Sequence, residues 1–292
     1  MVVQNQNQHQ NQKYLIIGQG AIGLPVTNTL ADQGFDVTGL ARHKRDHYDL
    51  ATNAQFLQCD ALALTAEQLK NFSRIAIIVT PDDYSKVGYE NSYLKICQHL
   101  ASLSDELPNL ERILFISSTG IYGQDNGDWI DDTVVPSSLD DNSTSNFILK
   151  AEQALQNGFH DKTIIIRPSG IYGRNRLMRV RQAQKDEKEP IARKHWTNRI
   201  MDSDLVTIIA NVLTTAAPKP LYLATDYLPV TSFELTTWLS DQLGSTNPVI
   251  DDRKTAVTGK RLHSNIPCDW LTFPDWQAGY RDILQHSDFE IK

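Results

Sequence analysis

The segment YLIIGQGAIG, residues 14–23, constrains the fold of this chain more than any other. Its apolar part, Tyr14 to Ile17, predicts a buried strand that leads directly into the glycines Gly18, Gly20 and Gly23. Glycines at these spacings permit a tight turn and close packing between the strand and a following helix. The segment therefore predicts a strand, a turn and a helix packed against each other.

Strands rich in Ile, Val and Leu alternate with helical segments over the next 150 residues. The predicted strands are Tyr14–Gly18, Phe35–Ala41, Ala54–Gln58, Arg74–Thr80, Arg112–Ser118 and Thr163–Pro168, and the predicted helices are Ala21–Gln33, Tyr89–Ser104 and Ser143–Asn157. Gly34 and Gly158 follow two of these helices, at the position of a glycine stop. Continuous apolar strands between helices predict an α/β fold, a Rossmann-type doubly wound parallel sheet covered on both faces.

The glycine turn also predicts a ligand. In a strand–turn–helix context, the GxGxxG pattern lets the backbone approach a pyrophosphate, which then lies at the free N–H groups of the helix. The expected contacts are Gly18, Gly20, Ala21, Ile22 and Gly23. The alternative is a glycine-rich turn that binds nothing.

The end of the second strand distinguishes between two dinucleotides. An NAD site places Asp or Glu there to bind the ribose 2′-hydroxyl. Here the sequence is Ala41, Arg42, His43, Lys44, Arg45, with no acid before Asp46. A guanidinium pairs with a 2′-phosphate, so we expect NADP as cofactor, with NAD as the alternative, and Arg42 as main contact assisted by Lys44 or Arg45. A basic loop that only faces solvent is the other interpretation.

The pattern loosens after Pro168. A helix at Leu205–Leu213, a short strand at Leu221–Ala224 that returns to the main sheet, and a helix at Ser232–Leu243 are predicted. We divide the chain into a tail (residues 1–12, Gln/Asn-rich and expected to be disordered), a dinucleotide-binding domain (13–170) and a smaller substrate-binding lobe (171–292).

Basic residues are concentrated at the start of that lobe. Residues 174–199 contain nine Lys or Arg and three acidic residues, in a chain whose net charge is −7. Arg174 and Arg176 are the candidate contacts for an anionic substrate. A charged, mobile surface segment is the alternative.

Composition excludes several classes of protein. The net charge of −7 argues against a general nucleic-acid binder, and no apolar run approaches the roughly 20 residues of a membrane span. The N-terminus lacks the features of a secretory signal. The three cysteines, Cys59, Cys97 and Cys268, are widely spaced, which fits a cytoplasmic protein. The pair His43 and His47 has cationic neighbours and no clear third ligand, so no metal site is expected.

Three further segments, taken with the glycine turn, resemble the short-chain dehydrogenase/reductase superfamily. They are ISSTGIYG (116–123), RPSGIYG (167–173) and NRIMDSDL (198–205). The resemblance is strongest to the extended branch that includes the NAD-dependent epimerases and dehydratases, and it covers residues 13 to 284. It implies an oxidoreductase or epimerase that acts on a hydroxyl or carbonyl of a small substrate, in many members a nucleotide sugar. The family often forms homodimers through the helices predicted here at Tyr89–Ser104 and Ser143–Asn157.

The resemblance also assigns roles to single residues. Ser118 corresponds to the catalytic Ser/Thr, and Asp60 to the residue that contacts adenine. The full set of candidate cofactor contacts is Gly18, Gly20, Ala21, Ile22, Gly23, Arg42, Asp60, Thr80, Lys150 and Arg167. The candidate substrate contacts are Thr119, Tyr122, Arg174 and Arg176.

The chain departs from the family at the YxxxK element. In the family a Tyr and a Lys lie one helical turn apart; the Lys binds the ribose and lowers the pKa of the Tyr, which exchanges a proton with the substrate. Here the segment reads NFILK, with Lys150 present and Asn146 at the tyrosine position. An amide does not transfer protons near neutral pH. Atypical members without this tyrosine occur in the superfamily, and their GxGxxG start resembles the one here.

Two hypotheses follow. The first is an NADP-dependent enzyme in which Ser118, Asn146 and Lys150 form an atypical catalytic set and Asn146 orients the substrate. The second is a non-catalytic NADP(H) sensor or regulatory protein on the same fold. The candidate ligands in both cases are small molecules.

Overall fold

The computed structural model describes residues 12–44, 49–136 and 143–286. The predicted tail, apart from Gln12, lies outside the described residues, as do Arg45 and His47. None of the helices within the described ranges is both long and apolar enough to cross a membrane.

The elements are numbered in chain order. The strands are β1 (Lys13–Ile17), β2 (Asp36–Ala41), β3 (Gln55–Gln58), β4 (Arg74–Ile77), β5 (Arg112–Ile116), β6 (Trp129–Ile130), β7 (Thr163–Pro168), β8 (Gly170–Tyr172), β9 (His195–Thr197), β10 (Arg199–Met201), β11 (Leu221–Ala224), β12 (Val230–Thr231), β13 (Thr258–Gly259) and β14 (Arg261–Leu262). The helices are α1 (Gly23–Asp32), α2 (Ala66–Leu69), α3 (Lys86–Tyr89), α4 (Lys95–Ser102), α5 (Ser145–Phe159), α6 (Met178–Gln184), α7 (Asp202–Thr214), α8 (Ser232–Leu243) and α9 (Trp276–His286).

The main sheet has the order β11-β7-β5-β4-β1-β2-β3 in the part of the chain that is described. Its pairings from β3 to β7 are parallel. The α/β doubly wound fold is thus confirmed, as is the return of Leu221–Ala224 to this sheet. The strand order reverses between β1 and β4, and ligands of such sheets bind at the carboxyl ends beside that reversal.

The chain forms two compact units. Of the described residues, unit 1 contains 12–44, 49–121, 143–167 and 206–222, and unit 2 contains 122–136, 168–205 and 223–286. Unit 1 contains most of the main sheet, whose strands β1, β4 and β5 are almost entirely inaccessible to solvent. Unit 2 has its own core, in which α6, α8 and α9 contribute Val180, Leu235 and Ile283.

Two predicted helices differ in detail from the observed ones. The segment predicted as one helix at Tyr89–Ser104 begins earlier, at Lys86, and passes through a π-helical turn, Glu90–Leu94, before α4. Helix α5 does not stop at Gly158 but ends at Phe159. A Cβ at Gly158 would lie 2.9 Å from the Cβ of Ala101, so this glycine allows α5 to pack closely on α4.

The stop at Gly34 is as predicted. Gly34 has a φ of +88°, and its N–H donates to the carbonyl of Ala31 (2.8 Å) while that of Phe35 donates to Leu30 (3.1 Å). These bonds satisfy carbonyls at the end of α1, and glycine adopts this backbone conformation without steric cost.

Asp226 is a buried carboxyl group in unit 2. It is 2% exposed; one side-chain oxygen accepts from the N–H of Leu228, and the other has no hydrogen-bond partner among the described residues. Burial raises the pKa of Asp226 from an ordinary 3.8 to about 8, with Asp204 and Asp275 adding to the rise and Arg199 opposing it. Between these values the folded protein holds a proton that the unfolded chain releases.

The Asp226→Asn variant therefore tests this protonation through stability. Because the folded state binds the extra proton between pH 4 and pH 8, the contribution of Asp226 to the free energy of unfolding of the wild type falls as pH rises across that window. The variant lacks this loss, so we expect its stability relative to wild type to increase with pH, on the order of 1 kcal/mol per pH unit. Urea denaturation at several pH values measures it. The comparison at pH 4 is the internal control, and parallel curves for the two proteins would contradict the protonation.

Candidate functional site

Five of the predicted positions follow the carboxyl ends of strands in the main sheet. Gly18 follows β1, Arg42 follows β2, Asp60 follows β3, Thr80 follows β4 and Ser118 follows β5. Parallel strands bring these ends to one edge. The structure thus brings together, within unit 1, residues that are up to 100 positions apart in the chain.

The glycine turn closes by backbone contacts. Gly18 has a φ of +98°, and a Cβ on it would lie 2.1 Å from the carbonyl oxygen of Ile78. A Cβ on Gly23 would lie 1.8 Å from the carbonyl oxygen of Gly18. By contrast, a Cβ on Gly20 would meet no atom within 4 Å. Gly18 and Gly23 are therefore needed for packing, whereas the turn is open at Gly20.

The N-terminus of α1 fits an anion. Ala21 and Ile22 connect the turn to the helix, and Ile22, at the N-cap position, makes no side-chain hydrogen bond to it. The first turn of α1 contains no acidic residue. The first N–H groups of a helix have no partner within the helix and carry partial positive charge, so a phosphate placed here would be hydrogen-bonded and electrostatically stabilised.

Gln19 is a residue of this turn that the sequence analysis did not single out. Its side chain is 4% exposed; Nε2 donates to the carbonyl of Ile16 (3.0 Å) and lies 2.9 Å from Oγ1 of Thr27. A Cβ on Gly39 of β2 would lie 2.6 Å from this amide. Gln19 thus fixes the turn against β1, β2 and α1. In the sequence, the only sign of this role is that a glycine, Gly39, stands 20 residues later in β2.

Arg42 forms an ion pair with Asp82. Nη1 of Arg42 lies 2.8 Å from Oδ2 of Asp82, and Nη2 bonds Oδ1. Both side chains are more than half exposed. The paired hydrogen bonds raise the pKa of Arg42 and lower that of the Asp82 carboxyl. Asp82, in the segment after β4, was not predicted as a site residue. Its carboxylate is hydrogen-bonded to the guanidinium of Arg42, the group expected to bind a 2′-phosphate.

The other predicted cofactor positions near this edge are accessible. Asp60 accepts a hydrogen bond from the N–H of Leu62 (2.9 Å) and caps the short 3-10 helix Ala61–Ala63. Thr80 is exposed in the segment after β4. Lys44 lies with Nζ 5.9 Å from the ring centre of Phe56.

Arg167 is placed differently from what the resemblance implied. It is 6% exposed, and its Nε and Nη2 donate to the carboxylate of Glu152 at 3.0 and 2.6 Å. Ser117 donates to the same carboxylate from its hydroxyl. Because this buried network uses the charged face of Arg167, we assign the residue to supporting the end of β5 rather than to contacting a cofactor.

Ser118, directly after Ser117, is half-buried. Its Oγ accepts a hydrogen bond from the N–H of Gly120 (3.0 Å), and Thr119 begins a 3-10 turn that packs against α5. A Cβ on Gly120 would lie 3.1 Å from Oγ of Ser118 and 3.5 Å from Oγ of Ser145. Two serine hydroxyls therefore flank Gly120. Ser145 was not predicted; the signal for it was its place one residue before Asn146.

Helix α5 carries the YxxxK-like residues. Asn146 lies in its first turn and is half-buried, and Lys150 lies one turn later and is exposed. Residues four positions apart share a helix face. The spacing that the family needs between its tyrosine and lysine is thus kept for Asn146 and Lys150.

Unit 2 contains the predicted substrate residues beyond Thr119. Tyr122 is 1% exposed, so its ring is part of the core and we do not retain it as a substrate contact. Arg174 donates from Nε and Nη2 to the carboxylate of Asp282, at 3.0 to 3.1 Å. Arg176 is exposed and lines a cavity of about 700 Å³.

Comparison with solved structures gives matches over nearly the whole chain. A protein from Methylobacillus flagellatus, described as an NAD-dependent epimerase/dehydratase, is 30% identical, with 94% of this chain and 98% of that chain covered and a TM-score of 0.74. UDP-glucuronic acid 4-epimerase from Bacillus cereus, in complex with NAD, is 16% identical, with 94% and 99% covered and a TM-score of 0.72. The Bordetella bronchiseptica enzyme WbmG, in complex with NAD and UDP, is 15% identical, with 93% and 92% covered and a TM-score of 0.72. The sequence matches no family model and no curated protein significantly.

Replacing Glu152 by Gln tests the buried network beside Ser118. The substitution removes the carboxylate charge that faces the buried guanidinium of Arg167, so we expect the free energy of unfolding to fall by about 3–5 kcal/mol in urea denaturation. The matched control is Glu67→Gln, which removes the partner of Lys70 in an exposed ion pair and is expected to cost less than about 1 kcal/mol. Equal losses in the two variants would show that the network does not support the strand end.

Proposed function

The chain belongs to the NAD-dependent epimerase/dehydratase family, and from this we propose that it binds a nicotinamide dinucleotide, with NADP preferred over NAD. We further propose that it acts on a hydroxyl or carbonyl group of a small anionic substrate. The observation that carries the proposal is the edge of the main sheet in unit 1. There a glycine turn that is open at Gly20, an uncapped helix N-terminus and Arg42 follow neighbouring strands.

The residues at this edge fit the dinucleotide. The open side of Gly20 leaves room for a diphosphate, and the first N–H groups of α1 would hold it. Arg42 would pair with the 2′-phosphate of NADP, Asp60 would contact the adenine, and Lys150 would bind ribose hydroxyls. When bound, the nicotinamide supplies hydride transfer. The Bacillus cereus and Bordetella bronchiseptica structures, which contain NAD, support a dinucleotide on this fold.

The residues after β5 and at the start of α5 would act on the substrate. The hydroxyl of Ser118 would hydrogen-bond the reacting oxygen, and the amide of Asn146 would donate a second bond to it. An amide orients without transferring a proton, so the general acid of the family is missing, a loss that typically costs about 10²–10⁴ in rate. Ser145 adds a hydroxyl beside Ser118.

The non-catalytic alternative rests on this same residue. A protein that senses NADP(H) needs the glycine turn and Arg42 but not a proton donor, and Asn146 is the specific observation that favours it. Such a protein would change its oligomeric state or its partner on binding NADP, which sedimentation with and without the dinucleotide measures.

A cytoplasmic location accompanies either function. The three cysteines are free, and Cys97 is fully buried, which fits a reducing compartment.

Calorimetric titration with NADP and with NAD tests the cofactor. We expect NADP to bind more tightly than NAD. We expect Arg42→Ala to weaken NADP binding by about 10- to 100-fold, which corresponds to the loss of a charge-assisted hydrogen bond, and to change NAD binding little. Preference for NAD in the wild type would overturn the role of Arg42. Failure of both dinucleotides to bind would overturn the proposed function.

The ion pair with Asp82 gives a second, opposite variant. A 2′-phosphate must compete with the Asp82 carboxylate for Arg42, so Asp82→Asn is expected to tighten NADP binding several-fold and to leave NAD unaffected. Asp83→Asn is the matched control, since it removes the adjacent exposed charge while an amide oxygen can still accept from the N–H of Ser85. Weaker NADP binding in Asp82→Asn would show that Asp82 positions Arg42 instead of competing for it.

Restoring the tyrosine distinguishes the enzyme from the sensor. If the scaffold is catalytic, Asn146→Tyr places a phenol one turn from Lys150, and the oxidation of NADPH against a panel of carbonyl compounds should rise by about 10²-fold or more. The gain should vanish when Ser118→Ala is added. No gain with any compound, at unchanged NADP affinity, would favour the sensor.

A further inference from the structure

The cavity in unit 2 has a strongly one-sided charge. It has a volume of about 700 Å³ and lies among β8, β10, α6 and α9. Its lining includes five cationic side chains and, among the described residues, no acidic one. These cations are Arg176, Arg179, Arg181, Lys185 and Arg199. In a chain with a net charge of −7, such a lining indicates an anionic ligand.

Arg199 differs from the other four because it is buried. It is 5% exposed; Nη1 donates to the carbonyl of Asn198 (3.1 Å), while Nε and Nη2 have no hydrogen-bond partner in the described part of the chain. No carboxylate of the described residues lies within ion-pair distance of it. A guanidinium keeps its charge, and a buried charge without a partner costs several kcal/mol. An anion bound in the cavity would remove this cost.

The nearest candidate for an internal counter-ion is Asp226, and it does not serve as one near neutral pH. Its backbone N–H donates to the carbonyl of Arg199 (2.7 Å), but its side chain forms no ion pair with the guanidinium. Burial raises the pKa of Asp226 to about 8, so the carboxyl is mostly protonated at pH 7. The carboxylate of Asp204 is engaged by the N–H groups of Thr272 and Phe273.

Two tyrosines complete the buried part of the lining. The rings of Tyr172 and Tyr280 stack with their centres 4.5 Å apart, and neither hydroxyl has a hydrogen-bond partner within the described ranges. Burial raises the pKa of both phenols, which keeps their O–H donors. We call Tyr172, Arg199 and Tyr280 the floor of the cavity, and Arg176, Arg179, Arg181 and Lys185 its rim.

We infer that the floor binds the terminal phosphate of a small phosphomonoester. Arg199 offers Nε–H and Nη2–H side by side, the geometry in which a guanidinium binds two oxygens of one phosphate, and a tyrosine hydroxyl would supply a donor to the third. The rim adds four positive charges. A phosphomonoester with two negative charges compensates them better than a single carboxylate does. An internal diphosphate, substituted at both ends, has no terminal group to place against the buried Arg199.

This site lies within unit 2 and does not depend on the dinucleotide of the proposed function, so the test omits the dinucleotide. The full-length protein is titrated calorimetrically with glycerol 3-phosphate and with inorganic phosphate. The comparison ligands are glycerol, succinate and UDP-glucose, whose diphosphate is substituted at both ends. We expect both phosphates to bind and glycerol not to bind. We expect Arg199→Met to weaken the binding of glycerol 3-phosphate by about 10- to 100-fold.

Three further variants separate binding from folding and from charge. Tyr280→Phe removes only a hydroxyl and is expected to weaken the binding of glycerol 3-phosphate about 3- to 10-fold. This variant keeps the test valid if Arg199→Met does not fold. Arg181→Gln removes a rim charge and should weaken binding less than Arg199→Met. Arg193→Gln is the matched control: Arg193 is exposed, belongs to the same basic segment and does not line the cavity, so no change is expected.

The remaining outcomes are decisive. Loss of phosphate binding in Arg42→Ala but not in Arg199→Met would place the phosphate at the dinucleotide site and overturn the inference, while the proposed function would stand. Tighter binding of succinate than of glycerol 3-phosphate, or tighter binding of UDP-glucose that depends on Arg199, would also overturn it. Binding of glycerol 3-phosphate through Arg199 in a protein that fails to bind either dinucleotide would support the site and overturn the proposed function instead.

Discussion

The architecture of unit 1 depends on backbone contacts that only glycine permits. Any Cβ on Gly18 would overlap the carbonyl of Ile78, and any Cβ on Gly23 would overlap the carbonyl of Gly18. These two contacts hold β1, the start of α1 and the end of β4 within van der Waals distance. A side chain at either position would move the helix away from the sheet, and with it the N–H groups expected to bind a diphosphate. Packing does not require a glycine at position 20, in contrast, since no atom of the described residues lies within 4 Å of a Cβ placed there.

The sequence predicts this part of the molecule well because its signals are local. Apolar strands and the glycine turn lie within a few residues of each other, and the positions after strand ends follow once the strands are recognised. The contacts that the sequence did not reveal join distant residues. Glu152 bonds Ser117 and Arg167, and Gly158 packs on Ala101, although the sequence places it as a helix stop. A glycine that ends a helix and a glycine that allows two helices to pack closely look the same in a sequence, and only the tertiary structure distinguishes them.

The two arginines proposed to bind phosphates solve different electrostatic problems. Arg42 is exposed and already paired with Asp82, so binding exchanges one anion for another and gains little net charge compensation. Arg199 is buried and has no counter-charge, so the cost of its desolvation is part of the stability of the folded chain until an anion binds. Binding at Arg42 should accordingly weaken with added salt, whereas a buried pair at Arg199 is screened less.

In the proposed site, Asn146 at the position of the tyrosine separates two tasks that the resemblance assigns to one side chain. Hydrogen bonding to the reacting oxygen needs only a donor, which the amide provides, whereas proton transfer needs a group that titrates. The flanking hydroxyls of Ser118 and Ser145 can pass a proton along but do not ionise near neutral pH. The proposed function therefore implies a reaction in which the reacting oxygen exchanges its proton with solvent or with the substrate itself.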